Sequence, residues 1–448
     1  MKDHRLGLYS GVGMVIANMI GAGVFLSTGY MAQDLTPGQI LVAWVIGALL
    51  ALCGARAYAG IARIVPHSGG EYRFLSTLVH PALGYLAGWA SLLLGFSAPI
   101  AIDAVAAGAF AHTLGDWVNP TLFAVVLILL MTAVHAVGLR FSVTAQNALV
   151  ALKILLVVGF IIVGLWGGNN SWPTWRPTNP SEGFPLGAFM QNLFYIAFAF
   201  SGWNAAVYAA SEFRNPRRDV PRALLLGCSI VGILYLFVNW VFVANLTPEQ
   251  CRVVNDYETA RITLGHLIMR NVVGDLGAAC MSVLAIIAFI SAVSAMTFLG
   301  PRVYAAMARD GFLPAALKGK EGRPPVGAVM LQGAIALFLV LAYQLGEVLS
   351  NVGAILTLFS ALTVFSLFWV RFRRKEFPRP QTAALVAALI YLAFSGVMLY
   401  FGFRSSPTLN LWVGSSILAA LVGYFLTRSR RSAQTEREVT EEAASPDR

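Results

Sequence analysis

Charge and cysteine are what this sequence has little of. Only 12% of its 448 residues are charged and 58% are hydrophobic, whereas soluble domains carry about 25% charged residues. This composition, with a mean hydropathy of +0.71, excludes a soluble enzyme and indicates a chain that crosses a membrane many times. The four cysteines form no CxxC pair, and three of them lie in apolar segments. A disulfide framework or a zinc site is therefore not expected.

Long apolar runs organise the chain, because a helix needs about 20 mainly apolar residues to cross a bilayer. The twelve predicted spans lie near residues 8–29, 39–61, 81–111, 120–138, 143–166, 187–212, 222–245, 273–306, 325–344, 348–370, 381–403 and 408–427. The first begins near Leu8 and has no small-residue cleavage site, so we interpret it as a span and not as a cleaved signal peptide. The predicted fold class is an all-α integral membrane protein with 12 transmembrane helices.

The net charge of +10 is explained by membrane topology. With the N-terminus placed inside, 25 of the 31 lysines and arginines fall in inside segments and five in outside segments. Because basic residues accumulate in cytoplasmic loops, both termini are predicted to be cytoplasmic in a multi-pass protein of the cell membrane, bacterial inner or plasma membrane. The lipid bilayer is the expected surrounding, and no nucleic-acid partner is needed. The polar tail, residues 428–448, has almost nothing to bury and is predicted to be disordered.

The remaining basic residue, Lys153, lies near the middle of the apolar run 145–164. A lysine at that depth costs about 2.5–3.5 kcal/mol on insertion scales, so it normally faces the bundle interior or a wet cavity with a partner. A snorkelling lysine near a helix end is the alternative, but the helix extends well beyond Lys153 in both directions, which favours a functional position. Asp103 in the third span is a candidate on the same ground, either pairing with a cation or ending a helix face near the outside.

Two predicted spans contain residues that interrupt a helix. The first reads GVGMVIANMIGAGVFLSTG over residues 11–29, and the sixth reads FYIAFAFSGWNAAVYAA over residues 194–210. Glycine lets the backbone leave helical geometry, although close helix packing is an alternative explanation for it in membranes. These spans each open a block of five spans, and an odd count inverts the second block relative to the first. Interrupted helices at matching positions of inverted repeats indicate a transporter site.

An interrupted helix also suggests which ligand binds there. The free N–H groups at a half-helix N-terminus suit an anionic group such as a carboxylate, and the free carbonyls suit a cation. An α-amino acid carries both charges, which makes it the predicted small-molecule substrate.

Several motifs resemble those of the amino acid–polyamine–organocation (APC) superfamily, in particular its bacterial L-type amino acid transporter group. They are IGAGVF at 20–25, PHSGGEY at 66–72, FAFSGWNAAVYAASEFRNPRRDVPR at 198–222 and RVYAAMARDGFLP at 302–314. The resemblance implies a LeuT-type 5+5 inverted repeat, with spans 1–5 in 8–166 and spans 6–10 in 187–371. Two further spans at 381–427 complete the chain, and spans 1 and 6 are expected to be broken.

The resemblance implies a substrate pocket between spans 1, 3, 6 and 8. The matching positions are Asn18, Met19, Ile20, Gly21, Ala22 and Gly23 in span 1 and Phe198, Ala199, Phe200, Ser201, Gly202 and Asn204 in span 6. N–H groups around Gly21 are expected to take the carboxylate, and carbonyls before Ser201 are expected to take the amino group. Phe198 matches the aromatic gate of the family. Ala22 departs from the pattern, because many relatives have serine there.

The resemblance also assigns a role to Lys153, which matches a fifth-span lysine of L-type members. There it resembles a tethered cation in the place that sodium takes in sodium-coupled members. Ser291 and Ser294 are the nearest span 8 hydroxyl candidates, and Tyr235 matches a tyrosine of the lysine and substrate network. Tyr235 is equally interpretable as a packed core residue.

The leading hypothesis is a sodium-independent carrier of neutral L-amino acids that exchanges its substrates by alternating access. A proton-coupled symporter, in which Lys153 loses and regains its proton, is the first alternative. A carrier of cationic amino acids or polyamines is the second; it needs an acidic side chain in the pocket, and Asn204 disfavours it unless Asp103 reaches the site. An enzyme is not expected, because the spans contain no nucleophile–base set or metal cluster.

Few partners are expected beyond substrate and lipid. The short loop after span 3 contains no cysteine, where mammalian light chains attach to a glycoprotein, so no covalent heavy subunit is implied. No cofactor and no metal are predicted, since the histidines form no pair at metal spacing. The oligomeric state is left open, and the glycosylation sequons at Asn169 and Asn245 are given little weight.

Overall fold

The computed structural model describes residues 6–137, 143–169, 171–177, 183–319, 324–342 and 345–444. The described residues form helices, connected by turns and irregular segments, and no β-strand. The first nine helices are α1 Leu8–Met19, α2 Ala22–Met31, α3 Pro37–Ile64, α4 Gly70–Leu78, α5 Pro81–Ala90, α6 Ala98–His112, α7 Pro120–Val137, α8 Val143–Gly167 and α9 Leu186–Ala199. The others are α10 Ala205–Tyr208, α11 Pro216–Asn245, α12 Pro248–Asp256, α13 Glu258–Ile262, α14 Leu264–Val273, α15 Asp275–Arg309, α16 Val326–Ala342, α17 Leu345–Arg373, α18 Thr382–Ser405 and α19 Pro407–Ala444.

The helices confirm a multi-pass membrane protein. Ten helical segments in the described part of the chain are long and apolar enough to cross a bilayer, and all ten coincide with predicted spans. Two shorter apolar helices, α9 and α16, lie where spans 6 and 9 are predicted. The wholly apolar composition of these segments, and not an amphipathic stripe, is what stable burial in lipid requires.

The first span is interrupted where the sequence predicts. Helix α1 ends at Met19 and α2 begins at Ala22, with Ile20 and Gly21 in non-helical conformations between them. Gly21 is required there by space, because a Cβ on it would lie 2.8 Å from Oδ1 of Asp103. The break therefore leaves the carbonyl end of α1 and the N–H end of α2 buried at the same depth.

The sixth span is interrupted as well. Helix α9 ends at Ala199, residues 200–204 form turns, and the short helix α10 follows. Gly202 has φ +98°, a left-handed conformation that glycine adopts without steric cost. A Cβ on Gly202 would lie 2.8 Å from Cβ of Asn18, and one on Gly23 would lie 2.4 Å from Cα of Ala199. The two interrupted spans therefore contact each other backbone to backbone.

Other helices enclose this contact. Helices α3 and α11 pack together beside α1, and α6 packs with α7 and α15 on the other side of the break. Helices α17 and α18 cover α9 and α3. Large side chains such as Trp44, Tyr58 and Tyr235 are fully buried in the resulting core.

Two features differ from the sequence prediction. The third span contains a π-helical turn, Ser91–Ser97, between α5 and α6. The last helix continues to Ala444, through much of the segment for which disorder is expected. Arginine, glutamate and alanine favour helix without any packing partner, so low hydrophobicity alone does not prevent a helical backbone there. Arg140, which contributes to the charge count for the orientation, lies outside the described residues.

Candidate functional site

The ammonium group of Lys153 lies at the carbonyl end of α1. Its Nζ donates hydrogen bonds to the carbonyl oxygens of Ala17 at 3.2 Å and Ile20 at 2.7 Å, and the residue is only 1% exposed. The last carbonyls of a helix have no partner within the helix and carry the negative end of its dipole. Lys153 therefore supplies the cation that the interrupted span needs at this end.

Asp103 lies at the opposite side of the same break. Its Oδ1 accepts the backbone N–H of Ala22, the first residue of α2, at 2.5 Å. The side chain is buried, and it is close enough to Lys153 for the two charges to interact. The possibility that Asp103 reaches the site is thus realised: a carboxylate faces the N–H end of α2 and an ammonium faces the carbonyl end of α1.

Tyr235 on α11 connects the two interrupted spans. Its hydroxyl lies 2.5 Å from the carbonyl oxygen of Met19 and 3.1 Å from that of Ala199, which are the last residues of α1 and α9. Its ring packs edge-on against Trp44 and Phe200, with centroids 5.7 and 5.0 Å away. Tyr235 therefore belongs both to a polar network and to the packed core.

The two span 8 serines do not join this network. Oγ of Ser294 lies 3.0 Å from Nε2 of His135 on α7, and so faces away from the break. Within the described part of the chain, no hydrogen bond connects either Ser291 or Ser294 with Lys153. The expectation that they contribute hydroxyls near the lysine is not met, because their positions on α15 direct them to other neighbours.

A cavity of about 80 Å³ opens on the α10 side of the breaks. Five of the predicted substrate residues line it, namely Asn18, Phe200, Ser201, Gly202 and Asn204. The others, Met19, Ile20, Gly21, Ala22, Gly23, Phe198 and Ala199, are buried in the core and do not line it. The structure therefore brings the predicted positions together but closes the space directly at the break of span 1.

Glu71, which the sequence reading did not single out, also lines this cavity. It is 4% exposed and lies 2.5 Å from the hydroxyl of Tyr58, 3.3 Å from Nδ2 of Asn204 and 3.3 Å from Oγ of Ser360. Glu71 is on α4, outside the spans, and burial raises its pKa while these three donors act in the opposite direction. Its place in the PHSGGEY motif was the only sequence signal.

The opposite end of the site, beyond α2, is sealed by aromatic and charged side chains. The rings of Tyr30 and Tyr195 stack at 5.5 Å with an interplanar angle of 15°. The Tyr30 hydroxyl lies 3.0 Å from a Glu258 carboxylate oxygen, and the Arg261 guanidinium lies 5.6 Å from the Tyr30 ring centre. The site is thus closed on the α2 side and has its open space on the α10 side, an asymmetry expected of a carrier that exposes one side at a time.

Remaining sequence candidates lie outside the site. Glu212 forms an ion pair with Arg302 at 2.6 Å, as expected for a residue that pairs at the end of span 6. The two sequon residues contact each other, since the Asn169 N–H donates to Oδ1 of Asn245 at 2.6 Å. In the described ranges no group of three histidine, cysteine or acidic residues is arranged to hold a metal ion.

A multi-pass helical protein with two interrupted spans in contact at buried opposite charges has the architecture of a membrane carrier. Residues 6–427 match the amino acid permease family. The chain therefore belongs to this family, within the APC superfamily that the sequence motifs resemble.

Named relatives align along nearly the whole chain. The mouse large neutral amino acids transporter small subunit 2 is 26% identical over 94% of this chain and 80% of its own length. The mouse b(0,+)-type amino acid transporter 1 is 27% identical over 95% and 88%, and the mouse Asc-type amino acid transporter 1 is 26% identical over 94% and 79%. These relatives are transporters of amino acids by name.

Proposed function

We propose that this protein is a sodium-independent secondary active transporter of neutral L-amino acids that works as an exchanger by alternating access. The proposal includes the twelve-span, LeuT-type 5+5 inverted repeat and cytoplasmic termini in the cell membrane. The observation that carries it is the contact of Lys153 Nζ with the carbonyl oxygens of Ala17 and Ile20. A fixed ammonium at that position makes a free sodium ion unnecessary.

The substrate is proposed to bind at the twelve span 1 and span 6 positions named from the sequence. The cavity supports this, because it ends at the break of span 6 and presents Asn18, Ser201 and Asn204 as uncharged polar groups. Phe198, buried on α9, is proposed as the gate. Relatives named for large neutral amino acids support a neutral side chain.

We further propose that the chain functions without a disulfide-linked heavy subunit. One relative is named as a small subunit and therefore belongs to a larger assembly. Residues 113–119, between α6 and α7, contain no cysteine in this chain. No cofactor is assigned to transport, and no enzymatic activity is proposed.

The test is radiolabelled leucine uptake into proteoliposomes that contain the purified full-length protein. An exchanger takes up label only when unlabelled amino acid is present inside, and it is unaffected by a pH gradient. Replacing external sodium with choline is expected to leave the rate unchanged. Stimulation by sodium would contradict the assigned role of Lys153.

Proton-coupled symport is the second candidate, and one observation favours it. Asp103 and Lys153 are buried groups of opposite charge that interact across the break of span 1, with the hydroxyl of Tyr235 close by. A proton moving onto or off such a pair changes the charge that a substrate meets. In the same assay a symporter would fill empty liposomes when an inward proton gradient drives it, which an exchanger does not do.

A further inference from the structure

We propose that Asp103 takes the place of the substrate carboxylate, so that the site binds primary amines with no carboxylate beside the amino group. This rests on the proposed function only in using the break of span 1 as the substrate site. It changes the substrate class from amino acids to amines such as the decarboxylated analogue of leucine.

The first step is the occupation of the anion site. The N–H end of α2, a ten-residue helix, is where an amino acid carboxylate is expected to bind. Oδ1 of Asp103 accepts the Ala22 N–H there at 2.5 Å. A Cβ on Gly21 would lie 2.8 and 3.0 Å from the two carboxylate oxygens, which places the whole carboxylate against the Gly21–Ala22 peptide. A substrate carboxylate in the same position would meet a like charge at close range.

The second step is an acceptor without a donor. Oδ2 of Asp103 has no hydrogen-bond partner among the described residues, although the side chain is 1% exposed. Leaving a buried carboxylate oxygen unsatisfied costs its full desolvation energy. A primary ammonium group has three N–H donors and no acceptor. It is therefore the ligand group that this oxygen selects, whereas a carboxylate brings only more acceptors.

The third step is that Lys153 does not fill this role. Its Nζ is hydrogen-bonded to the carbonyl oxygens of Ala17 and Ile20, and its link to Asp103 is electrostatic only. Lys153 balances the charge of Asp103 and leaves Oδ2 available.

The fourth step is the charge balance along the path. Among the described residues at the break and in the cavity, Lys153 is the buried cation, and Asp103 and Glu71 are the buried carboxylates. The hydrogen-bond donors to Glu71 are all neutral, from Tyr58, Asn204 and Ser360. One surplus negative charge is matched by a monovalent amine, whereas a zwitterionic amino acid adds no net charge.

The test compares ligands that differ only at the carboxylate. Purified full-length protein in detergent is titrated with leucine, with 3-methylbutylamine and with leucinamide, and binding is measured by calorimetry and thermal stabilisation. Binding is preferred to uptake here because neutral amines cross bilayers unaided. We expect the wild type to bind 3-methylbutylamine and leucinamide about tenfold or more tightly than leucine, since a like-charge contact is absent for both.

Two substitutions refine the result. Asp103→Asn keeps an oxygen for the Ala22 N–H but removes the charge, so amine affinity is expected to fall about tenfold or more. Asp103→Ala also frees the N–H end of α2, so leucine is expected to become the better ligand. The wild-type ligand series stands on its own if either variant does not fold.

The outcomes separate this inference from the proposed function. Tight leucine binding by the wild type with weak amine binding would overturn the inference and leave the amino acid carrier standing. The reverse preference would support the inference and correct the substrate class. Binding of none of the three ligands would contradict both.

Discussion

The two interrupted spans are stabilised in different ways. At the break of span 1, the exposed backbone groups meet charged side chains, Lys153 at the carbonyl end and Asp103 at the N–H end. At the break of span 6, the Ala199 carbonyl meets the neutral hydroxyl of Tyr235, and Gly202 packs on Asn18. The charged break is closed, whereas the neutral break borders the cavity.

The lengths of the helices at each break explain the difference. Span 1 is divided into helices of 12 and 10 residues, whose aligned dipoles place partial charges at the facing ends. Span 6 continues as the four-residue helix α10, which is too short to develop a comparable dipole. Charged partners are therefore needed at the first break, and neutral hydrogen bonds suffice at the second. The comparison indicates that the first break provides the electrostatics of binding and the second provides the space.

The largest effect is expected from Lys153→Met, which removes charge from the charged break. The carbonyl oxygens of Ala17 and Ile20 lose their donor and Asp103 loses its compensating charge. Breaking a buried ion pair by removing one partner costs about 3–5 kcal/mol, so we expect transport to fall at least about 100-fold. The measurement is uptake into proteoliposomes, with size-exclusion chromatography as the check on folding.

The double variant Lys153→Met with Asp103→Asn is the matched control for that result. It removes both charges, so part of the lost thermal stability is expected to return while transport stays low. Wild-type transport by the single variant would refute the role of Lys153 as a built-in cation.

The next effect is expected from Gly202→Ala at the neutral break. Alanine is strained at φ +98°, and its Cβ would lie 2.8 Å from Cβ of Asn18. We expect a loss of about 1–3 kcal/mol in stability, read as a lower melting temperature. Gly159→Ala in α8 is the control, because a Cβ there meets no atom within 4 Å. Equal melting temperatures for the two variants would show that the turn at Gly202 is not required.

A smaller effect is expected from Tyr235→Phe, which tests the link between the breaks. The hydroxyl bonds to Met19 and Ala199 are lost, whereas the ring contacts with Trp44 and Phe200 remain. One hydrogen bond is worth about 1 kcal/mol net, so transport is expected to fall about fivefold. Tyr9→Phe, at a position 88% exposed, is expected to change nothing. Unchanged transport by Tyr235→Phe would reduce Tyr235 to a packing residue.

The smallest effect is expected from Glu71→Gln in the cavity. Because burial raises the pKa of Glu71, its ionised form destabilises the folded protein above that pKa, and the penalty disappears as the pH falls through it. Glutamine keeps an acceptor for the Tyr58 hydroxyl, so the variant is expected to melt about 1–2 °C higher at pH 7.5. The difference should vanish near pH 5 in thermal unfolding curves. A lower melting temperature at pH 7.5 would mean that the charge itself is stabilising.

Much of the fold follows from local sequence. Apolar runs of about 20 residues have few alternatives to spanning helices, and ten of them appear in the described structure where they are predicted. The interruptions near Gly21 and Gly202 are also local, because they depend on residues that permit a non-helical backbone. The cost of burying Lys153 is visible from its apolar neighbours alone, which is why a partner for it was expected.

The partners themselves were decided by tertiary structure. Asp103 contacts a residue 81 positions away, and Glu71 contacts Ser360 at a separation of 289 positions. A helix sequence determines that an ionisable group is expensive to bury, but the rotation and depth of each packed helix determine which group it meets. The same rotation directs Ser294 to His135 and away from Lys153. The sequence by itself determined a bundle of spanning helices with two breaks and a buried cation, whereas only packing decided that the first break holds a carboxylate of its own.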